Sequence, residues 1–182
     1  MRVFDPTVFE NVKVALENHF YDLDNLDRLI DIVGRNDRME MAAMAREFGL
    51  RFTLAGQSGV SAEVRLASSL RQLAAELLDQ DGDAAAGAGC SLSLRFRVAI
   101  SEPAEQCRQI ERIMRTIWGD DMPFTQTISY VHGQDSPPEA VFYTNKIELK
   151  FNRTIGEEQM EDIPELAEHM LQTLRELKVV AI

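Results

Sequence analysis

The most regular pattern in the chain runs from Ser91 to Ile100, where Leu92, Leu94, Phe96, Val98 and Ile100 alternate with Ser91, Ser93, Arg95, Arg97 and Ala99. A period of two predicts a strand with one buried face. The next stretch changes period. Ser101 is placed to cap a helix that admits Pro103 in its first turn. Cys107, Ile110, Met114, Ile117 and Trp118 then recur at helical spacing, and Gly119 ends the helix. The bulk and position of Trp118 predict burial against the sheet. Two β-branched, aromatic-rich runs, PFTQTISYVH and AVFYTNKIELKF, flank the turn residues GQDSPP and read as a hairpin. In the second run Val141, Tyr143, Ile147, Leu149 and Phe151 share a face that Asn145 interrupts, while Lys146, Glu148 and Lys150 share the other. A last helix is predicted from Asp162, with Glu165 as its capping-box partner and a stripe of Leu166, Met170, Leu174 and Leu177. The terminal VVAI is short enough for a last edge strand.

Strand, helix, strand, strand, helix is the split β-α-β order of ferredoxin-like domains. Residues 91–182 are therefore expected to form a ferredoxin-like half, and the whole chain an α+β fold. Its sheet should be mostly antiparallel, with helices on one face. That fold carries many unrelated functions and implies none.

Residues 1–80 divide less cleanly. LRFTLAG and SAEVRLA alternate as strands, and SSLRQLAAELLDQ reads as a helix. The stretch from Phe4 to Leu26 fits a helix capped by Asp5, with Pro6 at its first position and Val8, Phe9, Val12, Leu16, Phe20 and Leu23 on one stripe. It also fits a strand with Val12, Val14, Leu16 and Phe20 inward. The same conflict returns at RMEMAAMAREFG, where Met39 and Met41 alternate with charges but Met41, Met44, Ala45 and Phe48 make a helical face. LRFTLAG at 50–56 echoes LRFRVAI at 94–100, which raises the idea of two related lobes.

Between the halves lies DQDGDAAAGAGC, residues 79–90. Asp79, Asp81 and Asp83 have the first three oxygen positions of a calcium loop. Ala84 stands where that loop needs glycine, and Cys90 where it needs a bidentate glutamate. Residues 81–90 are read instead as a flexible joint without metal.

Composition sharpens this picture little: 45% hydrophobic and 27% charged residues are ordinary for a globular protein. The net charge of −11 divides almost evenly, −6 in residues 1–90 and −5 in residues 91–182. A phosphate backbone would be repelled, so no nucleic-acid partner is expected. No apolar run approaches the roughly 20 residues of a bilayer span. The amino terminus lacks a signal-peptide core, so a cytoplasmic protein with no membrane partner is expected.

Motifs for catalysis are missing. There is no P-loop, no dinucleotide fingerprint and no nucleophile elbow at Ser136. His19, Asp22, Asp24 and Asp27 lie close in sequence, but a solvated turn explains them better than a metal site. His132 and His169 come with no nucleophile. Cys107 is expected buried on its helix and Cys90 more exposed after the joint, with no base beside either. NRT at 152–154 is a sequon without a secretory context. No cofactor is expected.

One surface stands out. If Leu94, Phe96, Ile147 and Leu149 face the helices, then Arg95, Arg97, Lys146 and Lys150 face away, ready for an acidic ligand or partner. Pairing with Glu148 across strands is the competing reading. Three function classes follow: a non-catalytic interaction or assembly domain, self-associating or with adaptable Met39, Met41 and Met44; a small-ligand or anion sensor on the basic face; and an enzyme with a site assembled from distant residues.

Overall fold

The structure, a computed structural model, describes residues 7–78, 89–132 and 142–182. The joint, apart from Gly89 and Cys90, and the GQDSPP loop fall outside these. The elements run α1 (Val8–Asn25), β1 (Ile30–Glu40), β2 (Ala45–Leu54), β3 (Val60–Ser68), α2 (Leu70–Leu78), β4 (Cys90–Ile100), α3 (Pro103–Trp118), β5 (Phe124–Ser129), β6 (Tyr143–Ile155) and α4 (Ile163–Val180), with a 3₁₀ turn at Glu157–Asp162.

All six strands join in one antiparallel sheet, in the order β1-β2-β3-β4-β6-β5. The segments on either side of the joint meet within it, since β3 pairs with β4 from Val60↔Val98 to Ala67↔Ser91. The fold is α+β, as the alternation predicts. Alternate residues of the central strands, among them Val64, Leu66, Leu94, Phe96, Ile147 and Leu149, are buried in one core with α1, α3 and α4. Their neighbours face away from the helices. The last edge strand does not form: VVAI extends α4 to Val180, and only the Ile182 N–H bonds back, to the Ala99 carbonyl. β3 already holds the side of β4 where that strand would have paired.

Residues 8–25 resolve as a helix. Phe9, Val12, Leu16, Phe20 and Leu23 are all buried, a 3.6-residue stripe that a strand could not present to one side. Thr7 caps it, its Oγ1 accepting from the Glu10 N–H at 3.3 Å, in place of the expected Asp5. Residues 30–40 resolve as a strand. The helical face of Met41, Met44, Ala45 and Phe48 is not used, because Met44 takes φ 50° in the turn that joins β1 to β2. A bulge at Val33 resets the alternation of β1. Past it, Arg35 and Asp37 lie under α1, where Lys13 bonds Asp37 at 3.0 Å and Arg35 bonds Glu17 at 2.6 Å. Arg46 of β2 joins this network through Glu10 and lies over the Phe9 ring. Past the bulge, charged rather than apolar side chains join α1 to this edge strand.

Three expected details change. Ser101 does not cap α3; Gln106 reaches back and its Oε1 accepts from the Ser101 and Glu102 N–H groups. The Asp162–Glu165 capping box is absent, because the 3₁₀ turn has already drawn Asp162 into helical geometry. The cysteines exchange roles: Cys90 is 1% exposed, Cys107 is half-buried, and burial pushes the Cys90 thiol up to about 12. Cys90 is enclosed because Gly89 brings the chain tight against β6. A Cβ on Gly89 would stand 2.7 Å from the Ile155 carbonyl oxygen, and its φ of +106° belongs to glycine.

Trp118 is half-buried rather than enclosed. Its Nε1 donates to Thr173 Oγ1 at 3.0 Å, and its ring meets those of Phe96, Phe151 and His169.

Candidate functional site

The register of the sheet turns its helix-free face into a grid. One row crosses five strands as Arg51, Glu63, Arg95, Glu148 and Thr125, with alternating charge up to the last position. Two residues along the strands, the next row reads Ser61, Arg97, Lys146 and Thr127. In the opposite direction lie Gly49, Arg65, Ser93 and Lys150. All four cations singled out in the sequence stand on this face, on the adjacent strands β4 and β6.

They are not equivalent. Arg95 donates from Nε and Nη2 to the same Glu148 oxygen, at 3.1 and 3.0 Å, and reaches Glu63 at 4.0 Å. Its charge is spent within the sheet. Burial, the largest single effect, would raise the Glu148 carboxyl, but the Arg95 hydrogen bonds together with the charges of Arg95, Lys150 and Lys146 outweigh it, and the group titrates below its ordinary range. Arg65 bonds Glu47, whose carboxyl is lowered first by its hydrogen bond from Arg38, against a smaller effect of burial.

Arg97 and Lys146 have no such partner. They stand directly opposite each other, and no carboxylate of the described residues lies within 4.0 Å of either. Like charges placed so are destabilising. Two unit charges held at about 6 Å would repel by about 0.7 kcal/mol in water. The Ser61 and Thr127 hydroxyls flank the pair on the same row. Lys150, opposite Ser93, is likewise without an ion-pair partner among the described residues. These three rows hold six cations, Arg51, Arg65, Arg95, Arg97, Lys146 and Lys150, against the carboxylates of Glu63 and Glu148 and of Glu47, which reaches Arg65 from the next row, on a protein of charge −11.

No family model, curated protein or solved structure matches this chain.

The other candidates settle into structural roles. Asp24 accepts from the Ile32 N–H at 3.1 Å and ties the end of α1 to β1. His19 lies edge-on to Phe20, and His169 to Trp118. Asn145, which seemed to interrupt a stripe, is fully buried on the helix side. Its amide donates to Gln126 Oε1 at 2.7 Å and to Cys107 Sγ at 3.6 Å, while its Oδ1 has no partner among the described residues. Single-strand alternation missed Ser61, Thr127, Arg51 and Arg65, because their membership of the grid depends on pairing across strands.

Proposed function

We propose that this is a non-catalytic interaction domain that binds an acidic partner segment across the open face of its sheet. The observation that carries this reading is the opposed Arg97–Lys146 pair, a local repulsion that an incoming anion relieves. The face is the open side of a sheet, which suits an extended chain better than a small molecule enclosed on several sides.

The spacing says more about the partner. Same-face rows are about 6.8 Å apart. The row that holds Arg97 and Lys146 and the row that holds Arg65 and Lys150 are separated by the neutral Arg95–Glu148 row. A partner in extended conformation meets both with two acidic side chains four residues apart, about 13 Å.

A fluorescent peptide with that Glu-x-x-x-Glu spacing tests the reading by anisotropy. The wild-type protein should bind it, rising salt should weaken binding, and the R97E/K146E double variant should lose it. Equal binding by both proteins would sink the proposal. The flanking hydroxyls favour a second reading, a small-anion sensor. Inorganic phosphate that displaces the peptide at low concentration would support the sensor instead.

A further inference from the structure

The two edges of the sheet are built differently. The β1 edge carries Asp31, Arg35, Asp37, Arg38 and Glu40 and the bulge at Val33. Charge and bulges are the devices that keep an edge from pairing with another strand. β5, at the far edge, has none of them. Its sequence FTQTIS holds no charge and no proline, and its register with β6 is unbroken from Phe124↔Leu149 to Ser129↔Thr144. Just beyond its end, Tyr130 and Val131 are exposed at 61% and 86%.

We propose that β5 pairs with β5 of a second copy of this chain, antiparallel and centred on Gln126, so that one sheet continues across both molecules. The strand is close to a palindrome about that residue. A two-fold axis through Gln126 sets Thr125 against Thr127 of the second copy, and Phe124 against Ile128 of the second copy. Thr–Thr and aromatic–β-branched pairs are among the favoured cross-strand neighbours, and Gln126 meets itself with its side-chain amide already held within each copy by Asn145 and the Cys107 carbonyl. A centre on Thr127 would set Gln126 against Ile128, a poorer match.

The same axis joins a projection to a hollow. A cavity of about 360 Å³ opens beside β5, bounded by Glu111, Arg115, Met122, Phe124 and Gln126. Under the two-fold, Tyr130 of the second copy falls opposite Met122, on the face of the strand that lines this cavity. Its ring fills the hollow, and its hydroxyl lies within range of the polar groups of α3. The relation is reciprocal, as an isologous interface requires. The basic grids of both copies then share one side of the joined sheet, so this inference adds to the acidic-partner reading without depending on it.

Cross-linking reads the register. In a Cys107→Ser background, T125C and T127C proteins are mixed under mild oxidant. The mixture should form a disulfide dimer, while neither protein alone should. T127C cross-linking alone as well as in the mixture would overturn the pairing about Gln126. Sedimentation velocity reads the association itself: wild type should dimerise, and I128K and Y130S should each raise the dissociation constant at least tenfold. Tyr130 lies outside the ladder, so Y130S tests the interface even if I128K is poorly folded. A wild-type protein that stays monomeric at high concentration, or variants that associate unchanged, would overturn the proposal. Two copies of charge −11 repel, so salt should strengthen dimerisation while it weakens acidic-peptide binding. Failure of one reading is thereby visible apart from failure of the other.

Discussion

Arg97 on β4 faces Lys146 on β6 across the open side of the sheet, whereas Arg95, two residues earlier, faces Glu148. Two arginines of one strand face thus stand in opposite electrostatic situations, and the same substitution should move stability in opposite directions. R97E exchanges a repulsion for an attraction and should stabilise the protein by about 0.5–1 kcal/mol. R95E sets a third carboxylate between Glu63 and Glu148 and should cost about 2–3 kcal/mol. Urea midpoints measure both. If the two variants shift the same way, the register argument fails.

That contrast also marks what the sequence could convey. Alternation along β4 and β6 was enough to place Arg95, Arg97, Lys146 and Lys150 on one face. Which of them is neutralised depends on register: a two-residue slip between β4 and β6 would set Glu148 against Arg97 and Lys150 against Arg95. Register is a property of strand pairs that neither strand encodes alone. β1 was illegible for a different reason. Beyond the Val33 bulge its helix-side positions hold Arg35 and Asp37, satisfied by Glu17 and Lys13 of α1, so the expected apolar signal is absent. α1 was ambiguous because Val12, Leu16 and Phe20 fit both readings; the burial of Phe9 and Leu23 separates them.

The charged clamp beneath α1 should make stability fall at both ends of the pH scale. The Glu10 carboxyl is held below its ordinary value of 4.5 by the Lys13 hydrogen bond, while at Asp37 burial is the largest single effect but the Lys13 bond and the charges of Lys13, Arg46 and Arg35 together outweigh it and hold the group below 3.8. Their contribution is complete above those ordinary values and is lost as pH falls through the lowered ones. Burial would lower Lys13, but its bonds to Glu10 and Asp37 raise it above 10.5. Its share is complete below 10.5 and is lost as pH climbs through the raised value. Lys13→Met should cost about 1.5–3 kcal/mol at neutral pH. The loss should shrink as pH falls below about 4 and vanish once the wild-type carboxyls protonate at their lowered values. Thermal melts at neutral and acid pH check this, and a pH-independent difference would count against the clamp.

Gly89 offers a steric test. An added methyl group meets the Ile155 carbonyl oxygen at 2.7 Å, a contact with backbone that no side-chain rotation can relieve. The positive φ adds about 1–2 kcal/mol for any residue with a Cβ. Gly89→Ala should therefore cost at least about 2 kcal/mol, and it should expose Cys90 to thiol reagents under native conditions. Gly56, also at positive φ, has nothing within 4 Å of its absent Cβ. Gly56→Ala should lose only the backbone share. Equal losses at both sites in urea titrations would show that contact with β6 does not matter.

Asn145 gives the prediction whose sign is least expected. The residue is fully buried, and its amide N–H is held by Gln126 Oε1, which cannot turn away because Gln126 Nε2 donates to the Cys107 carbonyl. Asn145→Asp keeps the shape but removes that donor. In its place stands a carboxyl group that can bond Gln126 only while protonated. Ionising it there would set a charge without a counter-ion against an acceptor oxygen. The folded protein therefore keeps the new carboxyl neutral, with a pKa above the roughly 3.9 of an unfolded chain. A raised acid pKa means that the unfolded state releases the proton first, so the penalty is smallest below about pH 4. Above that it grows by about 1.4 kcal/mol per pH unit until the folded group also titrates. Wild-type stability declines toward acid as its paired carboxylates protonate. The gap between the variant and wild type should narrow over the same range. Urea midpoints at about pH 4 and pH 7 decide the matter: a gap that stays constant would mean that the Asn145 site admits water and solvates the charge.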